Sequence, residues 1–196
     1  MAILKVARLG HPVLLRVADP VAPQAVQHPD LQRLIDDMFE TMRDEHGVGL
    51  AAPQVHRSLR LFVMDPGDRP GPDDEGGGPK VLINPVLSFP DEDRIALWEG
   101  CLSIPGIRGE TERFATVDVT ALDRTGRSVR TRFTGFPAAV VQHENDHLDG
   151  ILFFRRVPDL SRLAFEDQFS RLRSVLEDED DEGAGRDDED DRDRAS

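Results

Sequence analysis

The chain has 196 residues, of which 38% are hydrophobic and 32% charged, with a net charge of −14 and a single cysteine. This length fits one domain with its own core, and because no apolar run approaches about 18 residues, no membrane-spanning helix is predicted. The N-terminus lacks the long apolar stretch and the small-residue cleavage site of a secretory signal. One cysteine excludes an intramolecular disulfide and favours a reducing compartment, so we expect a cytoplasmic protein that does not act at a membrane.

Hydrophobic periodicity predicts the secondary structure in chain order. An amphipathic helix is expected at 28–47, where apolar residues recur at helical spacing before a glycine. Strands are expected at 59–65, 81–89 and 94–98, with Pro85 indicating a sheet edge or a bulge, and a hairpin is expected from 113–123 and 127–133. Helices at 136–147 and 159–176 complete an α+β fold, in which strands outnumber the separate helices.

Charge and composition divide the chain into two parts. Residues 177–196 contain twelve acidic residues and three arginines, a net charge of −9. This composition predicts a disordered acidic tail after a single domain that spans residues 1–176. An acidic chain is also a poor partner for nucleic acid or an anionic membrane. The segment 66–80, rich in glycine and proline, is expected to be a mobile loop.

The strongest functional signal is HENDH at residues 143–147, an H-E-x-x-H motif on the predicted helix. Histidines four residues apart lie about 40° apart around a helix, so both imidazoles can reach one metal ion. Glu144, one step further round, suits a general base for metal-bound water. Phe136, Ala139 and Val140 extend the same face as an apolar stripe and point the motif inward. Histidines held in the core by hydrogen bonds alone are the alternative.

A hydrolytic metal site needs a third protein ligand, and the sequence offers two candidates. Cys101, in the segment EGCLS at 99–103, would bind strongly as a thiolate, although a lone cysteine is more often a small buried hydrophobe. Glu166, on the predicted last helix, could serve instead, as in other zinc peptidases. The longer motif with a third histidine fails, because Phe153 stands at that position.

The third segment of interest is GVGLAAPQ at residues 47–54. Its two glycines allow unusual backbone angles and close approach by a ligand. No Lys-Ser or Lys-Thr follows, so it is not a phosphate-binding loop. The amide of Gln54 could donate to a developing oxyanion, or could belong to an ordinary loop side chain.

Together, GVGLAAPQ, EGCLS and QHENDH (142–147) resemble, in this order, the three motifs of the peptide deformylases, and the similarity spans about residues 1–172. The resemblance implies antiparallel β-sheets packed around a central metal-binding helix, with an N-terminal and a C-terminal helix. It implies one divalent metal ion held by Cys101, His143 and His147, with Fe(II) as the usual metal and Zn or Ni tolerated. It also implies removal of the formyl group from the N-terminal formyl-methionine of newly made polypeptides, with release of formate.

The resemblance further implies roles for individual residues. Glu144 would be the general acid/base, and Gln54 and the backbone N–H of Leu102 would be the oxyanion donors. The substrate-binding positions would be Val48, Gly49, Leu97, Gly100, Arg108, Phe136, Ala139 and Val140. The acidic tail stands where some relatives carry a basic ribosome-docking segment, so neither ribosome docking nor direct nucleic-acid binding is carried over.

Two other functions stay open on the residues alone. An endopeptidase or aminopeptidase that uses Glu166 as its third ligand would retain metal after loss of Cys101. A catalytically silent peptide-binding module would hold its metal in a closed four-ligand site, although the sequence offers no clear fourth ligand.

Overall fold

A computed structural model describes residues 2–67 and 78–176. Its helices are α1 (Pro29–Asp44), α2 (Phe136–Leu148) and α3 (169–176). Its strands are β1 (Gly49–Ala51), β2 (Leu61–Met64), β3 (Lys80–Ser88), β4 (Arg94–Cys101), β5 (Ile104–Phe114), β6 (Thr116–Leu122), β7 (Ser128–Thr134) and β8 (Leu163–Phe165). Most of the predicted 66–80 loop and the whole predicted tail lie outside the described residues. Within these ranges no helix is long and apolar enough to span a membrane.

The strands form two antiparallel sheets on either side of α2. One sheet has five strands in the order β1-β2-β3-β6-β7, and the other has the order β4-β5-β8. Helix α2 contacts β1, β2 and β7 of the first sheet and β5 of the second. The predicted α+β fold, with antiparallel sheets around a central helix, is therefore confirmed.

Alternating side chains give the five-stranded sheet two apolar faces. Phe62 and Leu82 pack with α2 on one face, whereas Leu61, Val63 and Ile83 pack with α1 on the other. This alternation follows from the two-residue period of a strand. The sheet thus separates the two helices, and α2 lies inside the domain.

Helix α1 is the predicted amphipathic helix and leads directly towards the site. The side chain of His28 caps it by accepting from the backbone N–H of Asp30, with Pro29 at the first helical position. Its apolar stripe is buried, and the helix ends where Gly47 N–H donates to the carbonyl of Met42. Strand β1 follows at once.

Helix α2 is buried on nearly every side, and all of its residues except Phe136 and Asn145 are buried. It ends before Gly150, which has a φ of +70° and whose Cβ would lie 2.8 Å from the backbone of Leu15. Polar side chains on such a helix need partners inside the protein. The H-E-x-x-H motif is therefore placed in the core, as its apolar stripe predicts.

The structure corrects the predicted last helix at 159–176. Residues Leu160–Arg162 form a 3-10 turn, capped by Asp159, and strand β8 follows before α3 begins at 169. Leu160 is 69% exposed and does not contribute to the core. Pairing of Ala164 with Arg108 on the open edge of β5 outweighs helical propensity here.

Other strand predictions are right in kind but differ in extent. The strand predicted at 94–98 continues to Cys101, and β5 was missed over most of its length. Pro85 marks a bulge and not an edge, because β3 lies between β2 and β6 and its register shifts between Ile83 and Val86. At this bulge the side chain of Asn84 bonds both backbone groups of Val21 at 2.8 Å.

Candidate metal centre

Three of the predicted metal ligands meet at one buried point. Cys101 lies at the end of β4, and His143 and His147 lie one turn apart on α2. One ligand atom from each residue lies within 4.8 Å of the others, and Sγ of Cys101 is 3.3 Å from Nε2 of His147. Glu166, the alternative third ligand, lies instead at the rim of the cavity, where its carboxylate pairs with Arg108.

A buried carboxylate orients the first histidine. Oε2 of Glu99 lies 2.7 Å from Nδ1 of His143, which leaves Nε2 of that ring for the cluster. Glu99 also accepts from Thr111 at 2.7 Å and from two nitrogens of Arg113 at 2.6 and 3.0 Å. Such a carboxylate–histidine contact fixes the ring and its tautomer at a metal site.

Arg113 extends this network to the metal-binding helix. Its Nη1 donates to Asp146 on α2 at 2.6 Å, and Asp146 also accepts from Arg156. Buried charges are tolerated where they are paired and hydrogen-bonded. The network therefore joins β4, β5 and α2 behind the three candidate ligands.

The surroundings set opposite proton affinities for the buried groups. Burial opposes ionisation of Glu99, but hydrogen bonds from His143 and Arg113 outweigh it and hold the pKa of Glu99 well below its ordinary value. Burial also opposes protonation of His143, yet contacts with Cys101 and Glu99 raise its pKa. Burial, followed by the nearby charge of His143, lowers the pKa of His147. Binding of a metal at this cluster would therefore displace a proton from His143.

Glu144 lies beside the cluster in a space that only glycine leaves open. A Cβ on Gly49 would lie 2.4 Å from Oε1 of Glu144, and Oε2 has no hydrogen-bond partner among the described residues. Burial raises the pKa of this carboxyl to about 7. A buried group with such a pKa can exchange a proton at neutral pH.

Gln54 faces the cluster from the opposite segment. Its Oε1 accepts from the backbone N–H of Ala51 at 2.8 Å, which fixes the orientation of the amide. Its Nε2 lies 3.6 Å from Sγ of Cys101 and 3.3 Å from Oγ of Ser103. Leu102 follows Cys101 in the turn between β4 and β5, and its carbonyl accepts from Arg8.

A cavity of about 470 Å³ opens onto the cluster. Its lining includes all the predicted substrate-binding positions: Val48, Gly49, Leu97, Gly100, Arg108, Phe136, Ala139 and Val140. Gln54, Cys101, Leu102, His143 and Glu144 also line it. Residues distant in sequence thus form one concave site that combines apolar and polar groups, the usual form of a small-ligand pocket.

Sequence reasoning missed the supporting residues. No role was predicted for Glu99 or Asp146, although both stand in the recognised motifs, and Thr111 and Arg113 were not singled out. The sequence did contain one chemical indication of such support. Glu99 stands two residues before Cys101, and a carboxylate near a buried thiolate requires a cation or hydrogen-bond donors close by.

The donor set fits a divalent transition metal. One thiolate and two imidazoles suit Fe, Zn or Ni better than Mg or Ca, which prefer oxygen ligands. Nδ1 of His147, like Oε2 of Glu144, is buried without a partner among the described residues. Oε2 of Glu144 is the orphaned atom on the cavity side, since Glu144 lines the cavity together with Cys101 and His143.

Comparison with known proteins identifies the family of the chain. The model of the family Polypeptide deformylase matches residues 3–163. The chain is 41% identical over 175 residues to peptide deformylase 2 of Pseudomonas putida, covering 88% of this chain and 98% of the relative. It is 44% identical over 164 residues to peptide deformylase 1 of Corynebacterium glutamicum, covering 84% and 92%.

Solved structures agree with the sequence comparisons. A class I type b peptide deformylase of Acinetobacter baumannii with Met-Ala-Ser bound superposes with a TM-score of 0.73 at 40% identity, covering 80% of this chain and 99% of that one. The enzyme of Thermotoga maritima gives a TM-score of 0.73 at 38% identity, covering 81% and 100%. By sequence and by fold, the chain belongs to the polypeptide deformylase family of hydrolytic enzymes.

Proposed function

We propose that this chain hydrolyses the N-terminal formyl group of newly made polypeptides at the centre formed by Cys101, His143 and His147. The observation that carries the proposal is the convergence of these three ligand atoms within 4.8 Å, with Cys101 and His143 in the lining of a cavity that Glu144 and Gln54 also line.

The metal would be held by the thiolate of Cys101 and one nitrogen each of His143 and His147. We propose Fe(II) as the resident ion, with Zn or Ni as possible substitutes, since all three accept thiolate and imidazole ligands. A divalent ion held by these residues would supply a Lewis acid, which would lower the pKa of bound water and polarise a carbonyl oxygen. Glu99 keeps the ring of His143 in the ligating orientation.

Glu144 would move the proton. Its carboxyl lies among buried groups, with a pKa raised by burial to about 7, so it can accept a proton from water and release it again. The amine that leaves from a formyl amide needs a proton, and Glu144 would donate it. One residue would thus act first as general base and then as general acid.

Gln54 and Leu102 would stabilise the charge that develops on the formyl oxygen. The amide of Gln54 is fixed by Ala51, so its donor is oriented before substrate binds. Leu102 would add its backbone N–H from the turn after Cys101. Donors arranged in advance lower the barrier because they need no reorganisation during reaction.

The cavity would hold the methionine side chain and the backbone that follows it. Val48, Leu97, Phe136, Ala139 and Val140 would line the methionine pocket, Gly49 and Gly100 would contribute backbone contacts, and Arg108 would lie at the edge. The relative from Acinetobacter baumannii was solved with Met-Ala-Ser bound, a tripeptide that begins with methionine.

The lone cysteine bears on the enzyme's location, and its acidic charge bears on its partners. We propose a cytoplasmic enzyme whose partners are formyl-methionyl nascent chains. Its net charge of −14 disfavours direct nucleic-acid or membrane binding and gives no support for ribosome docking through the tail. Residues 1–176 would form the catalytic unit, and the tail at 177–196 would be dispensable for turnover.

The test is formate release from formyl-Met-Ala-Ser by anaerobically purified enzyme, measured together with its metal content. We expect turnover that is proportional to bound metal and is absent with acetyl-Met-Ala-Ser, whose extra methyl group does not fit a formyl site. The matched variant is Glu144→Gln, which should keep its metal and lose at least about 10²-fold in turnover. Metal loss in step with activity would instead make Glu144 a ligand.

A further inference from the structure

The C-terminal segment of the domain forms one wall of the cavity mouth. Strand β8 pairs with β5, and the backbone N–H of Glu166 donates to the carbonyl of Gly106 at 2.9 Å, which continues this pairing. Further on, the ring of Phe169 lies edge-on to Trp98 at 4.9 Å. Glu166 and Trp98 both line the cavity. The segment is thus anchored on both sides of Glu166.

Arg108 and Glu166 form an ion pair at this wall. Nε and Nη2 of Arg108 lie 2.8 and 2.7 Å from the same oxygen of Glu166. The third nitrogen, Nη1, would lie 3.9 Å from a Cβ on Gly100, which pairs with Arg108 across the sheet and precedes Cys101. The guanidinium therefore lies between the Glu166 carboxylate and the strand that carries the metal ligand.

The pair is also accessible to a bound peptide. The side chain of Arg108 is 36% exposed and that of Glu166 is 56% exposed. Ion pairs with this exposure cost little to open, so a charged side chain on the substrate can compete for either member. The Arg8–Glu45 pair on the same cavity is looser at 3.8 Å, and Arg8 also donates to the carbonyl of Leu102.

We propose that Glu166 and Arg108 are specificity-determining residues that balance the enzyme's preference for charge at the second and third residues of the formylated peptide. This inference rests on the proposed function. An acidic side chain is attracted by Arg108 and repelled by Glu166, and a basic side chain experiences the reverse. The intact pair therefore keeps the enzyme's preference for acidic peptides close to its preference for basic peptides.

Removal of either member should shift the preference in opposite directions. Glu166→Gln leaves Arg108 without its anion and favours acidic peptides, whereas Arg108→Gln leaves Glu166 and favours basic ones. The contact is made before and during the reaction, so the change should lie in KM more than in kcat. In each variant, the ratio of kcat/KM for acidic peptides to kcat/KM for basic peptides should shift by about three- to fivefold, the range for a partly exposed charge contact.

The experiment measures kcat and KM for two peptide series that carry Asp, Ser or Lys. One series is formyl-Met-Xaa-Ser amide, and the other is formyl-Met-Ala-Xaa amide, because a C-terminal amide removes a competing carboxylate. Asp36→Asn and Arg124→Gln are the matched controls. These two residues form an ion pair at 2.9 Å with both side chains 43% exposed, and neither residue lines the cavity. They change net charge equally and should leave the Asp/Lys ratio unchanged.

The outcomes separate this inference from the proposed function. Wild-type enzyme that releases no formate from the Ser peptides would overturn the function itself. Normal turnover with Asp/Lys ratios that stay within about 1.5-fold in both site variants, or that shift equally in the controls, would overturn only the role of the pair. Opposite shifts that shrink at about 1 M salt, where the screening length is about 3 Å, would support it. If one variant does not fold, the other still gives a shift of defined sign.

Discussion

Glu144 lies so close to Gly49 that a Cβ on this glycine would be 2.4 Å from Oε1 and 2.8 Å from Cγ of the glutamate. The first glycine-containing motif therefore makes room for the carboxylate of the third. A side chain at position 49 must displace Glu144 or move β1, because both elements are buried. The relationship ties the shape of the segment at 47–54 to the placement of the proton carrier.

Gly49→Ala should therefore impair turnover without removing the metal. Displacement of a reacting group by about 1 Å costs roughly 10²-fold, and the three atoms nearest to this Cβ all belong to Glu144. The measurement is kcat together with metal per chain. Gly47→Ala is the comparison, because its methyl would meet the movable end of Leu102 at 2.8 Å and should cost less. Equal losses in the two variants would contradict this explanation.

The pKa of Glu144 also predicts a pH dependence of stability in the metal-free protein. Burial raises this pKa to about 7 from 4.5, so the folded chain keeps a proton that the unfolded chain releases in this interval. The contribution of Glu144 to the free energy of unfolding therefore falls as pH rises through the interval.

Glu144→Gln cannot lose this proton. We expect the free energy of unfolding of the metal-free variant to exceed that of metal-free wild type by on the order of 1–3 kcal/mol near pH 8. This difference should fall towards zero near pH 4.5. Urea unfolding of both chelator-treated proteins at the two pH values measures this difference in stability. A difference that does not change with pH would show that Glu144 already ionises freely in the folded state.

Much of the site could be predicted because its chemistry is local in sequence. The spacing of His143 and His147 needs only helical geometry, and the apolar stripe before them predicts burial. That Cys101, and not Glu166, joins them depends on the pairing of β4 with β5 across a turn. Bottom-up reasoning left this choice open, since the contact between the end of β4 and α2, which are distant in sequence, leaves no local pattern.

The missed elements share one physical cause. β5 contains Pro105, Gly106 and Gly109, which favour a loop when considered alone. Yet a Cβ on Gly109 would lie 2.6 Å from Leu163 and 2.9 Å from Val157, so this glycine allows β8 and its neighbours to pack on the strand. The same packing turns the first half of the predicted last helix into β8. Tertiary contact, which a single sequence does not display, decided both elements.

Cys101→Ala should lose most of its metal and nearly all formate release, because the thiolate supplies one of three ligands. Glu166→Ala should retain metal, since its carboxylate pairs with Arg108 at the rim. Metal per chain after anaerobic purification, with circular dichroism to verify folding, makes the comparison. The reverse result would assign the third ligand to Glu166 and revive the peptidase alternative.

Gln54→Ala should reduce kcat by about 10²–10³-fold through loss of an oxyanion donor, with metal content unchanged. The amide is held by Ala51 and adjoins Cys101 without being one of the three clustered ligands. Ser103→Ala is the control, because it removes a neighbour of the same amide but no proposed donor. Comparable losses in both variants would indicate that the local fold, and not the donor, was changed.

Glu99→Gln should weaken metal binding and stability together. The carboxylate orients His143 and neutralises Arg113, so its loss should lower metal affinity by about 10–100-fold, the usual effect of removing such a support. Stability should fall by about 2–3 kcal/mol, less than the 3–5 of a fully broken buried pair, because Asp146 still pairs with Arg113. Competition with a chelator measures the first effect, and urea unfolding of metal-free protein measures the second.

Measurements at acid pH distinguish the electrostatic contribution of Glu99 to stability from its packing contribution. The pKa of Glu99 is held well below its ordinary value, so its contribution is present at neutral pH and is lost as pH falls through the folded-state pKa. The stability gap between wild type and Glu99→Gln should therefore narrow in acid. Asp118→Asn serves as control, because this carboxylate accepts from Arg132 at 2.7 and 2.8 Å on the other sheet and should not affect metal affinity. A metal affinity of Glu99→Gln equal to that of wild type would mean that α2 alone holds His143 in position, without help from β4.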